Sequence, residues 1–193
     1  MNKSLLLLLA AGALPVTLSG QAPAAAMAPA APPPTLAAGA TAPDFATVDV
    51  AGKEVRLSDF KGKILVLDFW ATWCGPCIAE LPNVKRVYAD YHDKGFEVIG
   101  ISLENGKLLP GDTPEQTAAK LAAAKQVLTD FTAKEKMPWP QHFDGKFWKN
   151  ELAVQFSIGS IPAMFLLDQE GRVVSTNARG PLLEQEVKRL LGR

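Results

Sequence analysis

The sequence predicts an α/β domain in which a β-hairpin leads into a β-α-β unit, a helical insertion follows, and a β-β-α segment closes the fold. Three observations carry this expectation. Apolar runs of strand length, over residues 64–70 and 96–103, alternate with amphipathic stretches of helical length. The two cysteines of the chain form Cys74-Gly75-Pro76-Cys77, placed where the first of those strands ends and a helical pattern begins. Late in the chain a proline leads straight into a further apolar strand, Ile161-Pro162-Ala163-Met164-Phe165-Leu166-Leu167. A length of 193 residues suits one domain with short extensions, not two.

The first 20 residues read as a leader. Lys3 precedes a continuous apolar run from Leu5 to Leu14, and small and polar residues follow at 19–24, the three-part pattern of a secretory signal peptide. The run is shorter than the about 20 residues that a membrane-spanning helix needs. A cleaved signal is therefore expected, after Gly20 or after Ala24, with an uncleaved anchor as the alternative. No cysteine lies in this region, which excludes lipid attachment at a processed cysteine. Residues 21–41 are mostly alanine and proline, and Pro32-Pro33-Pro34 favours extended polyproline structure. The stretch is short of large apolar residues and reads as a disordered or semi-stiff spacer. The folded domain is expected over residues 42–193.

Phe45 to Val50 and Glu54 to Leu57 flank Ala51-Gly52-Lys53, which predicts a hairpin with a glycine-containing turn. The strand over 64–70 then runs into the cysteines. Cys74 falls near a helix N-terminus, where unpaired N–H groups and the helix dipole favour an anion. A thiolate is such an anion, and stabilising it makes the sulfur available as a nucleophile. Pro76 suits the first helical turn, where its missing N–H costs nothing. A structural disulfide, or half of a zinc site, would use the same residue types. However, so short a loop gains little closure entropy, and a structural zinc site wants four ligands. The pair reads as a redox-active Cys74–Cys77 couple that needs no separate cofactor. Asp68 is the odd residue of the strand, either at a solvated edge or buried at a cost. Burial would raise its pKa and let it exchange protons near neutrality.

The helix from Cys74 to about His92 carries Leu81, Val84, Val87, Tyr88 and Tyr91 on one side, with Pro82 expected to kink it and Gly95 to follow its end. Residues 96–103 form the next buried strand, completing a right-handed β-α-β unit. Thr113-Pro114-Glu115-Gln116 has capping-box spacing with proline at the first helical position. It opens a helix to about Lys136 whose stripe of Leu121, Ala124, Leu128 and Phe131 reads as core packing. Phe147 to Phe156 suggests a second short helix. The Ile161–Pro162 bond, ahead of a strand, invites a cis peptide. A turn at 169–172, a strand at 173–175 and a helix from Pro181 complete the chain.

Phe69-Trp70-Ala71-Thr72-Trp73-Cys74-Gly75-Pro76-Cys77, with Glu80-Leu81-Pro82 after it, resembles the active-site segment of the exported TlpA/ResA-like thiol-disulfide oxidoreductases. Gly159-Ser160-Ile161-Pro162 is similar to the setting of the cis-proline in the same family, and the likeness runs from about Ala42 to the C-terminus. It implies a thioredoxin-like fold with an N-terminal hairpin and a helical insertion before the cis-proline strand. It implies Cys74 as the attacking thiolate, Cys77 as the resolving thiol, Asp68 as general base for Cys77, and Glu80 as a group that tunes the cysteines. Trp73, Gly75, Pro76, Ile161 and Pro162 are the implied substrate-contacting residues, the Ile161 backbone pairing with an extended substrate segment. One departure stands out: thioredoxins carry a lysine near the buried acid on the next core strand, and Val98 to Ser102 offers none.

The resemblance further implies a monomer that acts on disulfides of exported proteins in the periplasm or cell envelope. Apocytochrome c is a family-typical substrate, and a membrane thiol transporter the expected electron donor. Pro76 lacks the extra hydrogen-bonding that a histidine there gives the thiolate of strong oxidants, so the expected direction is reduction. With 20 basic and 20 acidic side chains there is no surplus of charge for nucleic acid. A peroxidase on the same fold is discounted because Ala71 and Leu67 stand where peroxiredoxins place threonine or serine and proline. A Cu(I) chaperone is disfavoured because no histidine follows His142.

Overall fold

The computed structural model describes residues 36–192. The expected leader and most of the expected spacer lie outside them. The elements in order are β1 (Ala46–Val48), β2 (Glu54–Arg56), β3 (Ile64–Trp70), α1 (Gly75–Tyr91), β4 (Phe96–Ser102), α2 (Pro114–Lys134), β5 (Gln141–His142), α3 (Glu151–Gln155), β6 (Ala163–Leu167), β7 (Val173–Ser175) and α4 (Pro181–Leu190). β1 and β2 form the two-stranded hairpin, and the other strands form one sheet in the order β5-β4-β3-β6-β7. β3, β4 and β5 run parallel, while β6 is antiparallel to both its neighbours. Among the described residues no helix is long and apolar enough to cross a membrane.

β3 and β4 are buried along their whole lengths because helices and loops cover both faces of the sheet. Alternation along β3 divides its side chains between two cores. Ile64, Val66 and Trp70 pack with Leu81, Val84 and Val87 of α1, Leu128 of α2, and Leu183 and Val187 of α4. Leu65, Leu67 and Phe69 face the other way, against Phe45, Leu152, Phe156 and Phe165. Four phenylalanines in that second core, 45, 69, 156 and 165, meet edge-on or tilted at centroid distances of 5.5–6.3 Å. Each fully buried ring of this kind stabilises the fold by about 1.5–3 kcal/mol. The strand that leads into the cysteines is thus packed on both faces.

Two expectations are corrected. Residues 36–41 are not spacer: Leu36 is buried. The Gly39 N–H donates to Val173 O (2.7 Å), the Val173 N–H to Ala40 O (2.8 Å) and the Ala42 N–H to Gly171 O (3.0 Å). Backbone pairing of this kind does not depend on side-chain type, so small-residue composition hid it. The boundary of the folded unit therefore lies before residue 42. The expected helix over 147–156 is a 3-10 turn (Phe147–Lys149) followed by the short α3, which Asn150 caps by accepting from the Ala153 N–H. The two-residue β5 was not anticipated, being too short to show alternation. His142 is buried on that strand, where its Nδ1 meets Thr47 Oγ1 at 2.6 Å and ties the hairpin to the sheet.

Candidate active site

The disulfide sits where β3 gives way to α1. Cys74 and Cys77 are bonded, with Cα atoms 5.2 Å apart. Cys74 is the N-cap residue of α1: its backbone is extended (φ −89°, ψ 94°), and its Sγ accepts from the Cys77 N–H at 3.3 Å. Gly75 and Pro76 form the first helical positions, so the proline displaces no hydrogen bond. On reduction, a thiolate on Cys74 would face that N–H and the positive end of the helix dipole. Both cysteines are nearly buried, Gly75 and Pro76 are exposed, and Trp73 is 47% exposed.

Asp68 is buried, not at a solvated edge. Alternation puts it on the β3 face shared by Val66 and Trp70, whose core cluster includes both cysteines. Its neighbours across the sheet are Gly100 on β4 and Met164 on β6. Neither offers a hydrogen-bonding side chain. Loss of hydration pushes the Asp68 carboxyl up to about 7, and the negative charge of Glu80 adds to the effect. A carboxyl in that range exchanges its proton at neutral pH, as a general base for a thiol must.

Glu80, one turn past Cys77, is half-buried and anchored. Its Oε1 accepts from the Gly180 N–H at 2.7 Å and from Asn83 Nδ2 at 2.7 Å. Asn83 Nδ2 also donates to Gly180 O at 3.0 Å. These contacts staple α1 to the start of α4 and hold the Glu80 charge within reach of Asp68. Pro82 lies inside α1, on its exposed side.

The Ile161–Pro162 peptide bond is cis. β6 pairs with β3 up to Phe69–Ala163, so the register carries Pro162 level with Trp70, at the sheet end where the disulfide lies. Ile161 is partly buried and packs against both cores.

Several residues around the site escaped the sequence reading. Glu104 follows β4 and is buried; its Oε1 accepts from the Thr72 N–H at 2.5 Å and so holds the loop that enters Cys74. A charge at the C-terminal end of a buried parallel strand, where such sheets place functional groups, was the available signal. Gln141 accepts from the Trp70 indole N–H at 3.0 Å. Phe147 and Trp148 come from the insertion and gather around Trp73, with ring centroids 5.7 Å and 6.4 Å from it. Trp148 is itself 37% exposed. Phe147 has φ 54°, a left-handed conformation that costs an L-residue roughly 1–2 kcal/mol and that function commonly explains. No local pattern announces a contact between residues more than 70 positions apart.

A dithiol at the N-cap of a helix works by accepting and releasing one pair of electrons, and here the sheet around it places a buried carboxyl in the same core. That combination, on a mixed sheet with helices on both faces, defines a thiol-disulfide oxidoreductase of thioredoxin-like fold. The comparisons agree. The chain belongs to the AhpC/TSA family, whose profile matches residues 38–176. It is 29% identical over 156 residues to the thiol-disulfide oxidoreductase ResA of Geobacillus kaustophilus (strain HTA426), covering 81% of this chain and 77% of that one. Among solved structures it resembles a thiol-disulfide oxidoreductase from Bacteroides fragilis NCTC 9343, with TM-score 0.64 and 26% identity, covering 78% of this chain and 99% of that one. It also resembles a thiol:disulfide interchange protein from a Bacteroides species, with TM-score 0.62 and 29% identity, covering 82% and 93%.

Proposed function

We propose that this protein is an exported reductant of protein disulfides. The observation that carries the reading is Cys74 at the N-cap of α1, with its sulfur on the Cys77 N–H and, in the same core, the Asp68 carboxyl that burial raises to about 7. The Cys74 thiolate attacks one sulfur of a substrate disulfide, forming a mixed disulfide and releasing the other substrate sulfur as a thiolate that takes a proton from water. Cys77 then gives its proton to Asp68 and attacks Cys74 Sγ, releasing the second substrate sulfur as a thiolate that takes a proton from water. Two electrons pass to the substrate, and the protein is left with the Cys74–Cys77 disulfide. No metal or organic cofactor enters the cycle.

Glu80 sets the charge beside Asp68 and so tunes the resolving step. Gly75 and Pro76 leave the approach to Cys74 open, and the Ile161 backbone beside Pro162 pairs with an extended substrate segment. Trp73, joined by Phe147 and Trp148, gives that segment an aromatic surface beside the reactive sulfur. The leader-like residues 1–20 support export to the periplasm or cell envelope, where re-reduction requires a membrane thiol donor. Apocytochrome c is among the substrates that fit, as a disulfide-bearing exported protein, and the protein acts as a monomer.

The equilibrium reduction potential of the Cys74–Cys77 couple tests the direction, read from Trp70 and Trp73 fluorescence in glutathione or dithiothreitol buffers. A value near −270 mV is expected; one near −120 mV would make the protein an oxidant. Absence of any reversible disulfide in the wild type, beside the Cys77→Ser control, would end the oxidoreductase reading.

A further inference from the structure

Asp68, Gly100 and Gln141 lie in one row across three parallel strands, since Gly100 pairs with Asp68 on one side and with Gln141 on the other. Paired residues of parallel strands project to the same face. The middle position has no side chain, and the Gln141 amide occupies the space: a Cβ at Gly100 would stand 2.1 Å from Gln141 Oε1 and 2.8 Å from its Nε2. Gln141 thus reaches sideways over Gly100, toward Asp68.

The orientation of the amide follows from chemistry. Its oxygen accepts from Trp70 Nε1, and an indole N–H only donates, so the NH2 group must be the other end. That Nε2 is buried on a side chain only 3% exposed, and it has no hydrogen-bond partner among the described residues. A buried donor without an acceptor is costly, and native folds rarely leave one. The other polar side chain of the row is the Asp68 carboxyl, which receives no hydrogen bond from a described residue. The titratable groups on its helical side are Glu80 and Cys77 of α1; on the sheet, Gly100 and Met164 bring no charge.

We propose that Gln141 is the positioning residue for Asp68, its Nε2–H donating to the carboxylate through one bound water. Trp70 anchors the amide oxygen, Gly100 provides the passage, and the amide steadies the carboxyl while it takes the proton that Cys77 loses. This rests on Asp68 being the proton acceptor of the reaction. Donation favours the ionised form, so the amide opposes the upward push of burial and keeps the carboxyl working at neutral pH.

The test uses the oxidised protein, with the Gln141 side-chain amide followed by ¹⁵N NMR and the Asp68 carboxyl by ¹³C NMR as pH is varied. The Gln141 Nε2–H resonances are expected to move with the same midpoint as the Asp68 carboxyl, and to stop moving in Asp68→Asn. Amide resonances that stay flat while Asp68 titrates would overturn the proposal. In Gln141→Met, which keeps length and loses the donor, the Asp68 midpoint should rise by about one pH unit, with the pH profile of disulfide exchange following it. An unchanged midpoint in folded Gln141→Met refutes the contact. The proton-acceptor reading fails separately, if Asp68→Asn leaves the exchange rate and its pH profile untouched.

Discussion

Replacing Asp68 by asparagine should make the oxidised protein more resistant to unfolding, and by an amount that depends on pH. In the unfolded chain the carboxyl titrates near its ordinary 3.8; in the fold, burial and Glu80 hold it up at about 7. Below pH 3.8 both states carry the proton and the carboxyl costs nothing extra. Between about pH 4 and 7 the unfolded state loses its proton while the folded state keeps it, so stability falls as pH rises. Above pH 7 both are ionised and the loss is complete. The gap is about three pH units at 1.36 kcal/mol each, or about 4 kcal/mol. For a domain of this size that corresponds to roughly 8–16 °C in Tm. Asparagine has a similar shape and does not titrate. The assay is urea unfolding of oxidised wild type and Asp68→Asn from pH 4 to 8.5. The stability difference between the two should widen in favour of the variant by about 4 kcal/mol up to pH 7 and then level off. Distant groups cancel in that difference. Two parallel pH curves would refute the raised carboxyl, and with it the proton-acceptor role.

Two further outcomes follow from the same geometry. Glu80→Gln keeps an acceptor for the Gly180 N–H and removes the charge that pushes Asp68 upward, so the Asp68 carboxyl midpoint should fall; ¹³C NMR reads it directly. Phe147→Ala and Trp148→Ala take away the rings around Trp73 without touching the cysteines. They should raise KM for a protein disulfide, about 2- to 13-fold if each ring contributes about 0.5–1.5 kcal/mol to the substrate complex. The reduction potential should stay where it was, and a shifted potential with unchanged KM would remove the substrate-contact role.

Much of this molecule was legible along the chain because its determinants are local. Apolar runs of strand length, the Thr113–Gln116 capping box and the stripe on α4 each depend on neighbours within a few residues, and each forms the expected element. The Cys74 N-cap is of the same kind, since a strand end, a helix start and a proline sit within seven residues, from Trp70 to Pro76. Where local signals were weak the reading slipped. Residues 36–41 join the edge of β7 through backbone groups that any residue supplies, and β5 is only two residues long. Phe147 to Phe156 has helical composition, but Asn150 caps a new helix instead of continuing the old one.

By itself, then, the sequence determined the order of the longer elements, the place of the reactive cysteines at a helix start, and the presence of an acid in the strand before them. Each follows from spacing or from the chemistry of adjacent residues. Only the tertiary structure decided what surrounds the acid. That Asp68 is buried, that Glu80 is stapled to Gly180, that Glu104 holds the Thr72 N–H and that Gln141 lies over Gly100 all depend on strand order and register. Those contacts join residues 32 to 100 positions apart, through hydrogen bonds and van der Waals contacts that act over a few ångströms of space, whatever the distance along the chain.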